Sequence, residues 1–225
     1  DDTTCIEAMM QDKRALQAGT SHFLGQNFAK GSGITFQNEE GQEAYAWTTS
    51  WGSSTRMIGG MIMVHSDDDG LVLPPWVAPA HVVILPVFKK DGDQREILEN
   101  ARSLKQALED RMFNGIRVRV ELDARDIGGA RGWEWVKKGV PIRVELGPRD
   151  SEARSVVMAR RDEPSGRKHT LNRDVFVAEI PAILDDIQNS LVNRAMTFRK
   201  DNTLVMDDKK DFYQLYQKAS GYHNG

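Results

Sequence analysis

The chain has 225 residues, with 30 Lys and Arg against 33 Asp and Glu for a net charge of −3, and is 40% hydrophobic and 28% charged. That balance excludes a disordered chain and a bilayer-spanning one, because no apolar run approaches the ~20 residues that a membrane helix needs. One cysteine, Cys5, excludes an internal disulfide and a multi-cysteine zinc site within this stretch.

The length allows more than one domain. The opening "DDTTCIEAMM" lacks the basic start and apolar core of a secretory leader, so a reduced, cytoplasmic setting is expected, with Cys5 as a small buried residue. Charge is unevenly spread. Arg111 to Arg173 holds 15 basic against nine acidic residues, a net +6, and the remainder is −9. A polyanion partner favours such asymmetry, as does a solvated basic face.

In chain order, "RALQAGTSHFLGQNFAK" predicts a strand from Arg14 to Ser21 and then a helical turn. "GSGITFQNEEG" supplies a turn, a short strand and a polar loop, and "QEAYAWTTSW" alternates like a further strand. "TTSWGSSTRMIGG" follows, in which small hydroxyl and glycine residues lead to Arg56 at a strand-to-helix junction. Met57, Ile58, Met61, Ile62 and Val64 read as the buried face of that helix. A guanidinium where backbone donors converge on a helix start can hold a polyphosphate; alternatively it pairs a carboxylate elsewhere. "HSDDDG" lacks the spacing of a calcium loop and reads as a polar loop. Pro74, Pro75 and Pro79 then forbid a continuous helix and mark a linker, where a domain boundary is placed.

Beyond the linker, strand and helix alternate. "HVVILPVF" is a buried strand, "DQREILENARSLKQALEDRM" an amphipathic helix, "IRVRVEL" a strand and "GARGWEWVKKG" a short helix. "PIRVELG" and "SVVMARR" are two more strands, and the segment from Arg173 is a helix interrupted near Pro181. This βαβαββα order predicts a small mixed-sheet α/β domain. A last helix runs towards a Gly/Asn-rich end.

The segments "QAGTSHFLGQNF", "SWGSSTRMIGGMIMVHSDDDGLVLPP" and "KKGVPIRVELGPRD", in that order, closely resemble prolyl-tRNA synthetases of the archaeal and eukaryotic-like type, over nearly the whole chain. The resemblance implies an α+β chain in three parts. Residues 1–78 would be part of a class II antiparallel-sheet catalytic domain, 79–180 an anticodon-binding domain, and 181–225 a helical extension. "SSTRMIGG" resembles the third class II signature motif, so Arg56 would be the catalytic arginine on the ATP γ-phosphate, with Gln17, Thr20 and Ser54 also lining ATP. His22, Ser50 and Trp51 would shape the proline pocket. The implied activity is formation of prolyl-adenylate from L-proline and ATP with magnesium, then transfer to tRNA(Pro), by a cytoplasmic homodimer without a membrane partner. The first two class II motifs and a C-terminal zinc-bearing domain are absent from this stretch, so the chain is expected to be a piece of a longer enzyme; "GSG" at Gly31 to Gly33 departs from the bulkier residues usual in the family and suggests a looser turn.

Two points come from the residues themselves. Gln17 and Thr20 alternate with Ala18 and Gly19, so both side chains share a face only if the strand bends after Gly19. Arg131, Glu134 and Lys137 are spaced by three along one helix, with Trp133 or Val136 available for burial behind them. A carboxylate and guanidinium there suit anticodon guanines, whereas an ordinary salt-bridged helix is the plainer alternative. His22 could equally be a core histidine. His65, His81, His169 and His223 are scattered, and no metal site is proposed from them. A non-catalytic synthetase-like tRNA-binding or regulatory protein, or a bare tRNA-binding module, are the competing readings.

Overall fold

The computed structural model describes residues 2–88, 94–125 and 127–219; His223 lies outside them. The first 65 residues build a three-stranded antiparallel sheet from β1 (Asp2–Met9), β2 (Ala15–Gly25) and β5 (Thr48–Gly52), in the order β1-β2-β5. β1 was not anticipated, although its polar Thr3, Cys5 and Glu7 alternate with Thr4, Ile6 and Ala8 as a one-sided strand requires. Between β2 and β5 stand the short helix α1 (Asn27–Ser32) and the hairpin of β3 (Thr35–Gln37) and β4 (Glu43–Tyr45). Gly33 closes α1 in the left-handed region, its N–H bonded to the Ala29 carbonyl. "QEAYAWTTSW" is therefore two strands in two sheets, β4 and β5, rather than one.

Helix α2 (Arg56–His65) lies against β2, and an added Cβ on Gly60 would stand 3.0 Å from Leu16 Cδ2. Its expected buried stripe is not buried in this chain: Met57, Ile58, Ile62 and Met63 are exposed and Gly60 alone of the helix is fully buried. A three-stranded sheet is narrower than the apolar arc of the helix, so contact is confined to the line through Gly60.

The second half centres on a five-stranded mixed sheet in the order β12-β11-β10-β6-β9. β6 (Val82–Pro86), β9 (Val120–Leu122) and β10 (Ile142–Leu146) are parallel, while β11 (Ser155–Arg160) and β12 (His169–Asn172) complete it antiparallel. Val82 and Ile84 pack with α3 (Gln94–Glu109) and α6 (Arg173–Asp201) on one face; Val83 and Leu85 pack towards Trp135 of α4 (Ala130–Lys137) on the other. Coverage of both faces explains why β6 is an unbroken apolar run. "IRVRVEL" divides because Asn114 and Gly115, both at positive φ, turn β7 (Met112–Phe113) back into β8 (Ile116–Arg117) before β9 enters the main sheet. Two further elements, α5 (Pro148–Glu152) and β12, were not anticipated.

Helix α6 is continuous through Pro181. Phe176, Val177, Ile180, Leu184, Ile187 and Leu191 are buried on both sides of the proline, and that packing outweighs the ~3 kcal/mol that a mid-helix proline costs. Asn172 caps its start by accepting from the Asp174 and Val175 N–H groups. The helix α7 (Lys209–Ala219) follows.

The segment 66–81 is a strap packed on the second half. Leu71 N–H donates to Lys137 O (3.0 Å) and Leu73 N–H to Gly139 O (3.3 Å), while Val72, Ala78 and Ala80 are buried. The polar loop at its head is tied down too, with Asp67 paired to Arg161 and Asp69 accepting from Ser165. At its end, buried His81 accepts from the Arg119 N–H through Nδ1 (3.0 Å), and the Arg119 guanidinium reaches the Ala78 carbonyl.

Burial, and secondarily the Arg119 guanidinium, push the His81 imidazole down to about 4; burial and Arg194 lower His65 in the same direction. Below about pH 6.5 the unfolded chain takes up protons that the folded chain refuses, so stability is complete above that pH and is lost as pH falls towards 4. For His81 the loss is about 2 kcal/mol between pH 7 and pH 5. Urea unfolding at the two pH values should show it, and His81→Asn, which keeps an acceptor for the Arg119 N–H, should remove most of the difference.

Candidate functional site

The polar face of the first sheet gathers most of the residues singled out for the nucleotide and amino acid. The β1–β2 register pairs Ile6 with Gly19 but Glu7 with Gln17, so Ala18 is an extra residue bulged out of β2. The bend therefore falls one residue before Gly19, and it turns Gln17 and Thr20 to one face, Gln17 Nε2 donating to Thr20 Oγ1 at 2.7 Å. Cys5 lies opposite Thr20 on that face and accepts from Gln17 at 3.3 Å; it is exposed, not buried, because β1 is the edge strand and none of the described residues covers it. His22 follows two residues on, half-buried, with Thr3 Oγ1 2.9 Å from its Nδ1 and Ser50 directly opposite on β5.

Trp51 does not join them. The register sets it opposite Ser21, and side chains alternate along β5, so Ser50 and Trp51 project from opposite faces; Trp51 is 79% exposed. Ser54 spends its hydroxyl locally, accepting the Arg56 N–H at 3.2 Å, and Ser53 Oγ donates to the carbonyl of bulged Ala18 at 3.2 Å. The loop before α2 is thereby anchored to the bulge. Arg56 is the first residue of α2 and exposed, and its guanidinium has no protein partner among the described residues. Among the described residues no carboxylate pairs it, and its guanidinium stands at the start of a helix beside a polar sheet face.

A second locus lies at the carboxyl ends of the parallel strands, where open α/β sheets offer crevices. A cleft of about 400 Å³ is lined by Leu85 and Val87 at the end of β6, Arg125 after β9, Gly128, Gly129, Arg131 and Gly132 at the start of α4, and Glu145 of β10. Arg131 is only 9% exposed, and its guanidinium donates to three backbone carbonyls: Asp123 (3.1 Å), Arg125 (2.8 Å) and Pro86 (2.6 Å). It builds the floor of the cleft and does not share an exposed face with Glu134 and Lys137. Steps of three residues turn about 60° around a helix axis, so the first and third members of the row stand about 120° apart. Lys137 is exposed at the far end of α4, where its carbonyl holds the strap. Trp133 is exposed and Val136 is the residue buried behind the helix.

Arg125, missed from the sequence, is the centre of the cleft's charge. It forks onto Asp123 (2.9 and 2.7 Å) and bonds Glu134 at 2.7 Å. Asp123 also accepts from Trp135 Nε1 at 2.7 Å, and the Arg125 hydrogen bonds above all hold its carboxyl far below the usual carboxylate range. The plain salt-bridged alternative for Glu134 is thus realised, but with Arg125 as partner rather than a residue of its own helix. The available signal was "DAR" directly after a parallel strand, where a crevice is expected.

Residues 81–183 match the family described as "Anticodon binding domain". The chain is 55% identical over 215 residues to "Proline–tRNA ligase 2" of Anaeromyxobacter dehalogenans, covering 95% of this chain and 42% of the relative. It is 48% identical over 216 residues to the proline–tRNA ligase of Bdellovibrio bacteriovorus, covering 96% and 43%. The crystal structure of prolyl-tRNA synthetase from Cryptosporidium parvum complexed with L-proline and AMP superposes with a TM-score of 0.80 at 40% identity, over 89% of this chain and 40% of that one. The chain thus spans less than half the length of these relatives. Over the stretch that it spans, it belongs to the prolyl-tRNA synthetase family.

Proposed function

We propose that the intact protein is a proline–tRNA ligase, which activates L-proline with ATP and transfers the prolyl group to tRNA(Pro). The observation that carries this reading is relatedness along 95% of the chain to a protein of that name, supported by the solved neighbour that holds L-proline and AMP. In the first step a proline carboxylate oxygen attacks the α-phosphate of ATP in line, the bond to the β-phosphate bridge breaks, and pyrophosphate leaves. No protein nucleophile is needed. The site must place two anions together and offset their repulsion.

In this reading Arg56 holds the γ-phosphate, and Gln17 and Thr20 face the nucleotide, with Ser54 shaping the loop beside it. His22 and Ser50 border the proline ring, and Trp51, on the other face, drops out. Glu7, opposite Gln17 on the same face, is the carboxylate that would hold a magnesium ion, which when bound would offset the charge of the triphosphate. The second half receives the anticodon, with a guanine in the cleft before Arg125 and Glu134, Arg131 forming the floor and Asp123 orienting Arg125. Division at 78/79 and 180/181 is proposed with α6 shared by the last two parts, and a cytoplasmic homodimer rests on the family resemblance.

Arg56→Ala should lower proline-dependent ATP–pyrophosphate exchange by on the order of 10²-fold in the intact protein, through loss of a charged contact to the transferring polyphosphate. Exchange within a few-fold of wild type would overturn the assignment. Arg125→Ala should leave exchange alone and reduce kcat/KM for tRNA about tenfold to a hundredfold, the worth of a lost base contact of roughly 1–3 kcal/mol. Arg131→Met should act differently, lowering the urea-unfolding free energy by about 3 kcal/mol because three carbonyls, two of them in buried contacts, lose their donor.

A further inference from the structure

Arg161 lies in neither locus but bonds at the far ends of the two helices that begin at them. It follows β11, and its side chain is 4% exposed. The guanidinium forks onto the Asp67 carboxylate, with one contact at 2.7 Å, and its other hydrogen bonds run to the Gly70 carbonyl (3.3 Å) and, through Nε, to the Val136 carbonyl (3.3 Å). Val136 belongs to the last turn of α4, the helix whose first turns line the cleft. Asp67 directly follows Ser66, which closes α2, the helix that begins with Arg56. One buried cation therefore bolts the end of one helix to the end of the other.

The surroundings leave little play. Gly70 and Gly139 have positive φ, and a Cβ on Gly70 would stand 2.6 Å from Lys137 Cα, one on Gly139 2.7 Å from Leu71. Backbone lies on backbone on either side of the guanidinium, with the Leu71–Lys137 and Leu73–Gly139 hydrogen bonds running through the contact. The Asp67 carboxyl is held below its usual range first by the Arg161 hydrogen bonds, so the pair stays ionised throughout the neutral range. On the other side of Asp67, Gln11 Nε2 donates to the Val64 and Ser66 carbonyls, tying the end of α2 to the first sheet.

We propose that Arg161 is a positioning residue for the tRNA-dependent step: it transmits the position of α4, set by what occupies the cleft, through Asp67 to α2 and hence to the sheet that α2 lies against. This rests on the function proposed above. α4 is a rigid eight-residue element with the cleft at one end and Arg161 at the other, so a shift at its start moves the Val136 carbonyl. The clamp passes that movement to the strap, because Arg161 cannot keep its bonds to Val136, Gly70 and Asp67 unless all three move together. Without tRNA, α2 is still seated by Gly60 on Leu16 and by Gln11, so proline activation does not need the clamp.

The test uses the intact protein with Arg161→Met and the milder Asp67→Asn, whose folding is checked by thermal melting; should the first fail to fold, the second carries the measurement. Expected for either variant are proline-dependent ATP–pyrophosphate exchange within about threefold of wild type and a kcat for charging a tRNA(Pro) transcript about tenfold lower, with the tRNA KM unchanged. The kcat difference between that transcript and one with a substituted anticodon guanine should shrink, and Arg161→Met combined with Glu134→Ala should lose less than the product of the single losses. Arg161→Lys, which keeps the charge and one hydrogen bond, should recover part of the kcat. Equal losses in exchange and charging would make Arg161 a static support, a rise in tRNA KM alone would make it a docking residue, and either result, or no change at all, overturns the proposal. Failure of the wild-type protein to exchange pyrophosphate with proline overturns the function instead, so the two failures are distinct.

Discussion

The close approach of two glycines to facing backbone is the constraint on which the arrangement of this chain rests. At Gly70 and Gly139 any side chain would collide with main-chain atoms less than 3 Å away, and both residues adopt a positive φ that other residues seldom take. The strap can therefore lie directly on the end of α4, near enough for the Leu71 and Leu73 N–H groups to find carbonyl partners. A proline-rich segment that composition marks as a linker thereby becomes a packed seam. The sheet of the first half is then fixed relative to the cleft of the second instead of swinging on a tether.

Arginines divide into two physical classes on either side of that seam. Arg131 and Arg161 are buried, and nearly every bond they make goes to backbone carbonyls or to one carboxylate beside them. Such groups would be costly to bury alone, and their multiple donors make them cross-links between loops that share no regular hydrogen bonding. Arg56 and Arg125 are the opposite kind. Arg56 stands at a helix start without a partner among the described residues, and Arg125 is half-exposed, oriented by Asp123 from beneath and Glu134 from the side. Orientation by a buried carboxylate keeps the guanidinium plane fixed while one edge faces the cleft, which suits a planar ligand.

Charge pattern along the chain did not distinguish these classes. The basic excess between Arg111 and Arg173 includes Arg119, Arg131 and Arg161, which fold inward, so much of the +6 never reaches solvent as free cation. Around the cleft the outward charges are balanced, Arg125 being paired with Asp123 and Glu134 and Lys168 with Glu145. Net charge states how many cations a segment holds and leaves open which are spent on its own carbonyls.

Local signals sufficed where a short stretch decides its own structure. The apolar run of β6, the helix that begins at Arg173 and the strand-to-helix junction at Arg56 follow from residues a few positions apart, as do the three motif segments that carry the family resemblance. Elsewhere the outcome depended on partners far along the chain. The bulge at Ala18 exists only in the pairing with β1, and it alone turns Gln17 and Thr20 to one face while the register with β5 sends Trp51 to the other. Pro181 stays helical because six buried side chains around it pack on the sheet, and the apolar stripe of α2 stays exposed because the sheet beneath it is three strands wide. By itself the sequence determined the alternation of the main strands and helices, which follows from short-range spacing, and the family, which the three motif segments carry. Only the tertiary structure decided which face each residue meets and which arginine is free, because register and burial are set by contacts that no local window contains.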